Sequence, residues 1–135
     1  MHEVFEAVAD PKELTSYFTT GGASGRLETG KTVTWDFHDF PGAFPVEVAE
    51  VVPDEWIEFR WGADAPGTTY QTEVTMRFKA VDGGRTLVEI EERGWHNTEA
   101  GRKASYGNCM GWSQMLAALK MWVEHNINLR EGSYK

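Results

Sequence analysis

The stretch GNCMGWSQMLAALKMWVEH, residues 107–125, contains the only cysteine of the chain and two of its six tryptophans. Its apolar residues recur every three or four positions, the spacing of one face of an α-helix; they are Trp112, Met115, Leu116, Leu119, Trp122 and Val123. This spacing predicts a helix from about Ser105 to His125. Asn126 is a suitable residue to end it, because asparagine tolerates the left-handed conformation.

Upstream of this helix the apolar residues alternate with polar ones, which predicts β-strands. The predicted strands are KTVTWDFH (31–38), VEVAEVV (46–52), EWIEFRW (55–61), TYQTEVTMRFKA (69–80) and RTLVEIEER (85–93), and the turns are DFPGAFP (39–45) and GADAPGT (62–68). The sequence VDGGR (81–85) predicts a tight hairpin between the last two strands. In that hairpin Val74, Met76, Val88 and Ile90 are expected to face the long helix, with Glu73 and Glu89 on the opposite face.

Two short helices are predicted before the strands, HEVFEAVA (2–9) and PKELTSYF (11–18). Asp10 is a favourable N-cap for the second helix, and Pro11 suits its first position. The order of short helices, several strands and one long helix predicts an α+β fold in which an antiparallel sheet covers a helix. A length of 135 residues predicts one domain over the whole chain.

The composition excludes several classes of function. The formal net charge is −8, which argues against binding to nucleic acids or anionic membranes, since both require clustered Lys and Arg. No apolar run approaches the roughly 18 residues that span a bilayer, and the acidic start lacks the pattern of a signal peptide. One cysteine cannot form an internal disulfide, so a reducing cytoplasm is the expected location.

No catalytic or metal motif stands out. Gly107-Asn108-Cys109-Met110-Gly111 spells G-x-C-x-G, which resembles a hydrolase nucleophile elbow, but the residues before it are polar and predict no strand. Cys109 is therefore predicted to be a small buried core residue. The four histidines form no ligand cluster, so neither a metal nor a cofactor is predicted. Glu89, Glu91 and Glu92 are interpreted as a solvated strand face and strand end rather than as an acid/base pair.

The aromatic content is high, with six Trp and seven Phe. A well-filled core is the simplest interpretation for each of these residues. Two glycines favour a further one: Gly107 and Gly111 share a helical face, and each costs about 1 kcal/mol against alanine. That cost suggests either close backbone approach at this face or space for a ligand.

Three segments, VFEAVADPKELTSYF, GGRTLVEIEERGW and GWSQMLAALKMWVEHNINLREG, resemble the family of activators of heat-shock protein 90 ATPase, part of the START-related, Bet v 1-like superfamily. The resemblance runs from about Glu3 to Gly132. It implies a helix-grip fold, in which a curved antiparallel sheet wraps a long C-terminal helix and two short helices close one end. Members carry a first strand before the VFEAV helix, where this sequence begins, so either the chain is clipped relative to the gene product or the sheet lacks one strand. In the second case a neighbouring strand would have an open edge, available for pairing with another chain.

In that family a cavity often lies between sheet and helix, and members bind apolar molecules, assist a chaperone or cyclise polyketides. The first hypothesis is therefore a non-enzymatic domain that binds a small hydrophobic or amphipathic ligand. Its candidate ligand-binding residues are Trp35, Phe37, Phe59, Trp61, Tyr70, Thr72, Val74, Trp112, Met115 and Leu119. In this set the aromatic residues would supply contact area, and Tyr70 and Thr72 would orient the ligand.

Two alternatives stay open at this point. One is a stress-response protein that interacts with the chaperone, which the short acidic single domain makes less favoured. The other is a cyclase- or hydrolase-like enzyme, for which Tyr70, Thr72, His38 and Glu89 are the candidate polar residues. The expected partners are a small apolar ligand and, in the first alternative, a chaperone, with the protein as a monomer or homodimer.

Overall fold

The computed structural model describes residues 2–19, 21–37, 40–62 and 70–129, and the side chains of residues 40–43 are excluded from that description. Its elements in chain order are α1 (His2–Ala9), α2 (Pro11–Thr15), β1 (Gly22–Ala23), β2 (Thr32–Phe37), β3 (Phe40–Val52), β4 (Trp56–Gly62), β5 (Gln71–Val81), β6 (Arg85–Arg93) and α3 (Glu99–His125).

The strands form one antiparallel sheet in the order β1-β2-β3-β4-β5-β6, so that every strand pairs with its neighbour in sequence. The sheet curls into a half-barrel, and the long helix α3 and the short N-terminal helices complete the fold. The predicted α+β helix-grip architecture is confirmed.

The hairpin of β5 and β6 has the predicted register. Met76 lies opposite Ile90, and Phe78 lies opposite Val88. Met76 and Phe78 are buried, and Val88 and Ile90 pack against the core. The two strands are joined by a turn at Asp82–Gly84, in which Gly83 has a φ of 78°, a conformation that glycine adopts without steric cost.

The predicted turn DFPGAFP is wrong for its larger part, because β3 already begins at Phe40. Pro45 is tolerated within this strand for a local reason. Its partner is Thr34, whose backbone N–H and carbonyl both bond to Ser24 on the other side, with distances of 2.8 and 2.9 Å. The missing N–H of the proline therefore breaks no bond between the two strands. Gly62, the first residue of the turn predicted at 62–68, is the last residue of β4, and the rest of that predicted turn lies outside the described residues.

The helix boundaries differ from the predicted ones at two ends. The helix α2 ends at Thr15 rather than Phe18. The helix α3 begins at Glu99, six residues before Ser105, because the Thr98 side chain accepts a hydrogen bond from the Gly101 N–H and caps the first turn. The predicted caps are confirmed: Asp10 accepts from the Lys12 N–H at 2.9 Å, and Asn126 has a φ of 57°.

The core lies between the concave face of the sheet, α3 and the two short helices. Every second residue of the central strands contributes to it, including Ile57, Phe59, Val74 and Met76, each fully buried. The outer face carries charged side chains instead, and Arg93 reaches across strands to Glu58 at 3.1 Å and Glu73 at 3.4 Å. The alternation along the strands thus separates a dry face from a solvated one.

Tyr17 fastens the two N-terminal helices to each other. It is fully buried, and its hydroxyl donates to the Ala7 carbonyl oxygen at 2.9 Å. Burial, with a smaller contribution from the charge of Glu13, raises the pKa of Tyr17 far above the ordinary value of 10.0. When the pH exceeds the ordinary value, Tyr17 loses its phenolic proton in the unfolded chain but keeps it in the folded chain. This tyrosine therefore makes the free energy of unfolding fall as the pH rises.

Replacing Tyr17 with phenylalanine is expected to lower the free energy of unfolding by about 1 kcal/mol at neutral pH, through loss of the hydrogen bond to Ala7. The same change should flatten the decline in stability above pH of about 10. Urea unfolding of parent and variant at neutral and alkaline pH measures both effects. An unchanged alkaline slope in the variant would show that other groups cause the decline.

Candidate functional site

The carboxylate of Glu92 is the centre of a polar cluster between the sheet and α3. Glu92 lies near the end of β6, two residues after Ile90 on the same concave face. Its partner on β5 is Val74. Thr72 lies two residues before Val74 on the same face and is fully buried, and opposite Thr72 on β4 is Trp61. The strand pairing therefore brings three side chains from three neighbouring strands to one place.

Four side chains donate hydrogen bonds to this carboxylate. From the sheet, Trp61 Nε1 lies 3.0 Å and Thr72 Oγ1 lies 2.5 Å from Glu92 Oε2. From the helix, Trp112 Nε1 lies 2.8 Å from Oε1, and Asn108 Nδ2 lies 3.0 and 3.1 Å from the two oxygens. Asn108 and Trp112 are four residues apart, so both lie on one side of α3.

The cluster adjoins a group of aromatic rings on the concave face. The indoles of Trp61 and Trp112 are stacked, with centroids 5.4 Å apart and planes 27° apart. Trp35 meets Trp61 edge-on at 5.8 Å and Phe59 at 5.3 Å. Phe18 lies 5.8 Å from Trp112. The site therefore joins one carboxylate to a broad aromatic wall.

Trp35 has an unsatisfied polar atom within this wall. Its side chain is fully buried, and its Nε1 has no hydrogen-bond partner among the residues that the structure describes. An unpaired buried donor is costly. A hydrogen-bond acceptor placed next to Trp35 Nε1 would therefore be favourable.

Tyr70 and His96 lie at the start of β5 and in the segment before α3. Their rings are stacked, with centroids 3.5 Å apart, and the His96 N–H donates to the Tyr70 hydroxyl at 3.2 Å. The His96 carbonyl oxygen closely approaches the position that a Cβ would occupy at Gly101. A glycine is therefore required in the first turn of α3 for this segment to keep its path.

The structure divides the predicted ligand-binding residues into four groups. Trp61, Thr72 and Trp112 surround Glu92, and the partly buried Phe37 contacts Phe18 at 5.0 Å. Tyr70 is half-buried on His96. The remaining members are buried in the core cluster: Trp35, Phe59, Val74, Met115 and Leu119.

Two members of the site were missed from the sequence, Glu92 and Asn108. The interpretation of Glu92 as part of a solvated face is wrong, whereas Glu89 and Glu91 do lie on that face. The hydrogen bond and charge of Lys79 lower the pKa of Glu89, and Arg77 pairs with Glu91 at 3.3 Å. The signal for Glu92 was present, since alternation from Val88 and Ile90 places it inward.

The polar residues considered for an enzyme are not brought together. Thr72 belongs to the cluster at Glu92, Glu89 lies on the outer face, and Tyr70 is paired with His96. His38 lies outside the described residues. Within the described part of the chain, no group of three His, Cys, Asp or Glu side chains could hold a metal ion.

The prediction that Cys109 is buried is wrong, because it is exposed within the helix α3. A nucleophile elbow requires a sharp turn between a strand and a helix; a position inside a continuous helix excludes it. Of the two explanations considered for Gly107 and Gly111, close backbone approach is also wrong. No atom of the described residues lies within 4 Å of a Cβ built at either position.

Replacing Gly107 and Gly111 with alanine is therefore expected to stabilise the protein by about 1 kcal/mol per site, through the higher helix propensity of alanine. Thermal unfolding of the two single variants and the double variant measures this gain. Gly101→Ala is the contrasting variant, because there the added methyl group meets the His96 carbonyl. Loss of stability at Gly107 or Gly111 would mean that something covers that part of the helix.

A sheet curled around a long C-terminal helix, with two short helices at its N-terminal end, defines the helix-grip class of proteins. Within this class the chain belongs to the family described as Activator of Hsp90 ATPase homolog 1-like protein, whose model matches residues 1–124. No protein of curated function matches the sequence. No helix among the described residues has the length and apolar character needed to cross a membrane.

Several solved structures share the fold. A protein from Staphylococcus saprophyticus is 27% identical with a TM-score of 0.78, and the match covers 96% of this chain and 87% of that one. DynU16, a protein of the dynemicin biosynthetic locus, is 27% identical with a TM-score of 0.68, and the match covers 93% of this chain and 43% of that one. The Aha1 dimer from Colwellia psychrerythraea is 21% identical with a TM-score of 0.73, and the corresponding shares are 92% and 87%.

Proposed function

We propose that this protein binds a small apolar or amphipathic molecule between the concave face of the sheet and α3, with the polar part of the ligand at Glu92. The observation that carries the proposal is the Glu92 cluster itself. A carboxylate with four donors lies beside stacked indoles. A pocket of mostly aromatic surface with a few convergent polar groups is the usual form of a small-molecule site.

Access from solvent is supported by the surface of α3 beside Trp112. Ala104, Gly111 and Ala118 are spaced seven residues apart and so share one side of the helix. Ala104 and Ala118 are buried, whereas Gly111 between them is exposed. The helix is thus uncovered next to a tryptophan that bonds to Glu92.

The test is a titration with phenylnaphthylamine, a neutral apolar probe, followed by NMR of the tryptophan indole N–H signals. Binding at the site should shift the signals of Trp61 and Trp112. Trp56 is the matched control, because its Nε1 also bonds to a glutamate, Glu50 at 2.7 Å, but in an exposed position. Saturating probe that leaves Trp61 and Trp112 unshifted would refute binding of a neutral apolar molecule at this site.

Native mass spectrometry of the purified protein adds an independent measurement. A co-purified mass that is released on denaturation would support a resident ligand and identify it. The same spectra would distinguish a monomer from a homodimer, both of which fit the proposal. Fractionation of the producing cells would test the proposed cytoplasmic location.

A cyclase- or hydrolase-like enzyme is a second candidate. It is favoured by the likeness to DynU16 from a biosynthetic locus and by a carboxylate at the aromatic wall, a group capable of general acid or base catalysis. The test is conversion of the co-purified molecule or of a polyketide-like model compound by the parent protein. Turnover that is lost in Glu92→Gln while probe binding persists would support the enzyme over the binding protein.

A chaperone partner, with a role in the stress response, is the third candidate, favoured by the family to which the chain belongs. It predicts retention of heat-shock protein 90 on the immobilised protein and a faster ATPase rate of that chaperone. Retention without any shift of the Trp61 and Trp112 signals by apolar probes would favour this candidate over ligand binding.

A further inference from the structure

We infer that Glu92 recognises a positively charged amine on an otherwise apolar ligand. This inference rests on the proposed binding function and adds the chemical class of the ligand. It follows from the charge of the cluster, from the lack of a counter-charge among the described residues around it and from the aromatic surface that adjoins it.

The side chains around Glu92 are arranged to donate hydrogen bonds to its two oxygens. An indole N–H can only donate, and so can the amide nitrogen of asparagine. Oxygen Oε1 accepts from Trp112 and Asn108, and oxygen Oε2 accepts from Trp61, Thr72 and Asn108. All four partners are neutral, so none of them supplies a positive charge to a carboxylate at this position.

No cationic side chain compensates this charge within the described part of the chain. The ion pairs there all involve other acidic residues, and none includes Glu92. Arg93 is adjacent in sequence, but alternation directs it to the outer face, where it pairs with Glu58 and Glu73. Even partial burial of a carboxylate is costly unless it is paired, and a ligand cation would supply the pair.

The walls of the site suit the same class of ligand. The stacked indoles of Trp61 and Trp112 offer apolar area, and tryptophan faces attract cations. Asn108 is the partner that a ligand would replace most readily, because it is half-buried and shares one nitrogen between both oxygens at 3.0 and 3.1 Å. An ammonium in its place would keep the carboxylate bonded and neutralise it. A ligand carboxylate would be repelled.

The experiment compares three probes of one shape and different charge: phenylbutylamine, phenylbutanol and phenylbutyrate. Their affinities for the parent protein at neutral pH are measured by calorimetry, and the indole signals of Trp61 and Trp112 locate the binding. We expect the amine to bind at least about tenfold more tightly than the alcohol, as a charged hydrogen bond in place of a neutral one implies. The carboxylate should bind weakest.

Glu92→Gln should reduce the affinity for the amine to about that for the alcohol. Glu89→Gln is the matched control, because it removes the same charge from the same strand at an exposed position. Because the two variants have the same net charge, the general attraction of an acidic protein for cations is the same in both. If Glu92→Gln does not fold, the order of the three probes in the parent protein decides the question.

Equal or tighter binding of the alcohol or carboxylate, with the indole signals shifted, would overturn the inference and leave the binding function in place. The inference also fails, and the binding function also stands, if Glu92→Gln binds the amine as tightly as Glu89→Gln does. Binding of phenylnaphthylamine at the site without binding of any of the three probes would have the same consequence. If neither phenylnaphthylamine nor any of the three binds there, the proposed function fails and the inference with it.

Discussion

Replacing Trp112 with alanine is expected to lower the free energy of unfolding by about 3–5 kcal/mol, the usual cost of removing a large aromatic side chain from a core. The indole is 7% exposed, stacks on Trp61, contacts Phe59 and Phe18, and bonds to Glu92. Its loss removes a side chain that holds the middle of α3 against the sheet. Thermal or urea unfolding measures the change, which should lower the melting temperature by roughly 10–20 °C.

Two variants separate the causes of this loss. Trp112→Phe keeps an aromatic ring but not the N–H donor, so it should cost about 1–2 kcal/mol from the hydrogen bond and imperfect packing. Tyr106→Ala truncates an aromatic residue of the same helix that is 69% exposed, and its effect should stay within about 0.5 kcal/mol. Equal losses in Trp112→Ala and Tyr106→Ala would show that packing of the indole against the sheet does not cause the change.

The fold was predictable because its pattern is local and repeated. Alternation in β4, β5 and β6 identifies the buried face residue by residue, and Asp82-Gly83-Gly84 fixes the register of the last hairpin. The C-terminal half of α3 is equally clear from its apolar spacing. Its N-terminal part was missed because Glu99 to Ala104 carry no apolar periodicity. That part is held instead by the Thr98 cap and by the fit of Gly101 against His96.

The site was only half predictable. Trp61, Thr72 and Trp112 follow from their positions on inward faces, but their common partner does not follow from composition. A glutamate near the end of a strand is usually solvated. Only the alternation along β6, which places Glu92 on the inward face, indicated that this one is not. That Asn108 faces it depends on the rotation of α3 over the sheet, which tertiary packing sets.

The close backbone approach considered for Gly107 and Gly111 was wrong for a related reason. Helix propensity indicates that alanine would make a more stable helix at these positions, but it does not explain why glycine is there. Only the three-dimensional surroundings show that both positions are open among the described residues.

Glu92→Ala is expected to lower the free energy of unfolding by about 2–4 kcal/mol, because it leaves four donors without their acceptor and each buried unpaired donor costs about 1–3 kcal/mol. The sum is smaller than four such costs, since Glu92 and Asn108 are half-buried and water can reach part of the cluster.

The comparison that makes this prediction specific is Glu89→Ala, three residues earlier on β6 and on the outer face. Glu89 pairs with Lys79 at 2.7 Å in solvent, and exposed pairs contribute little, so its removal should change stability by about 0.5 kcal/mol or less. Urea unfolding of both variants in parallel measures the difference between the two faces of one strand. Similar losses in the two variants would mean that Glu92 is no more enclosed than Glu89. The polar cluster would then be a surface feature, and it would no longer support a ligand site between the sheet and the helix.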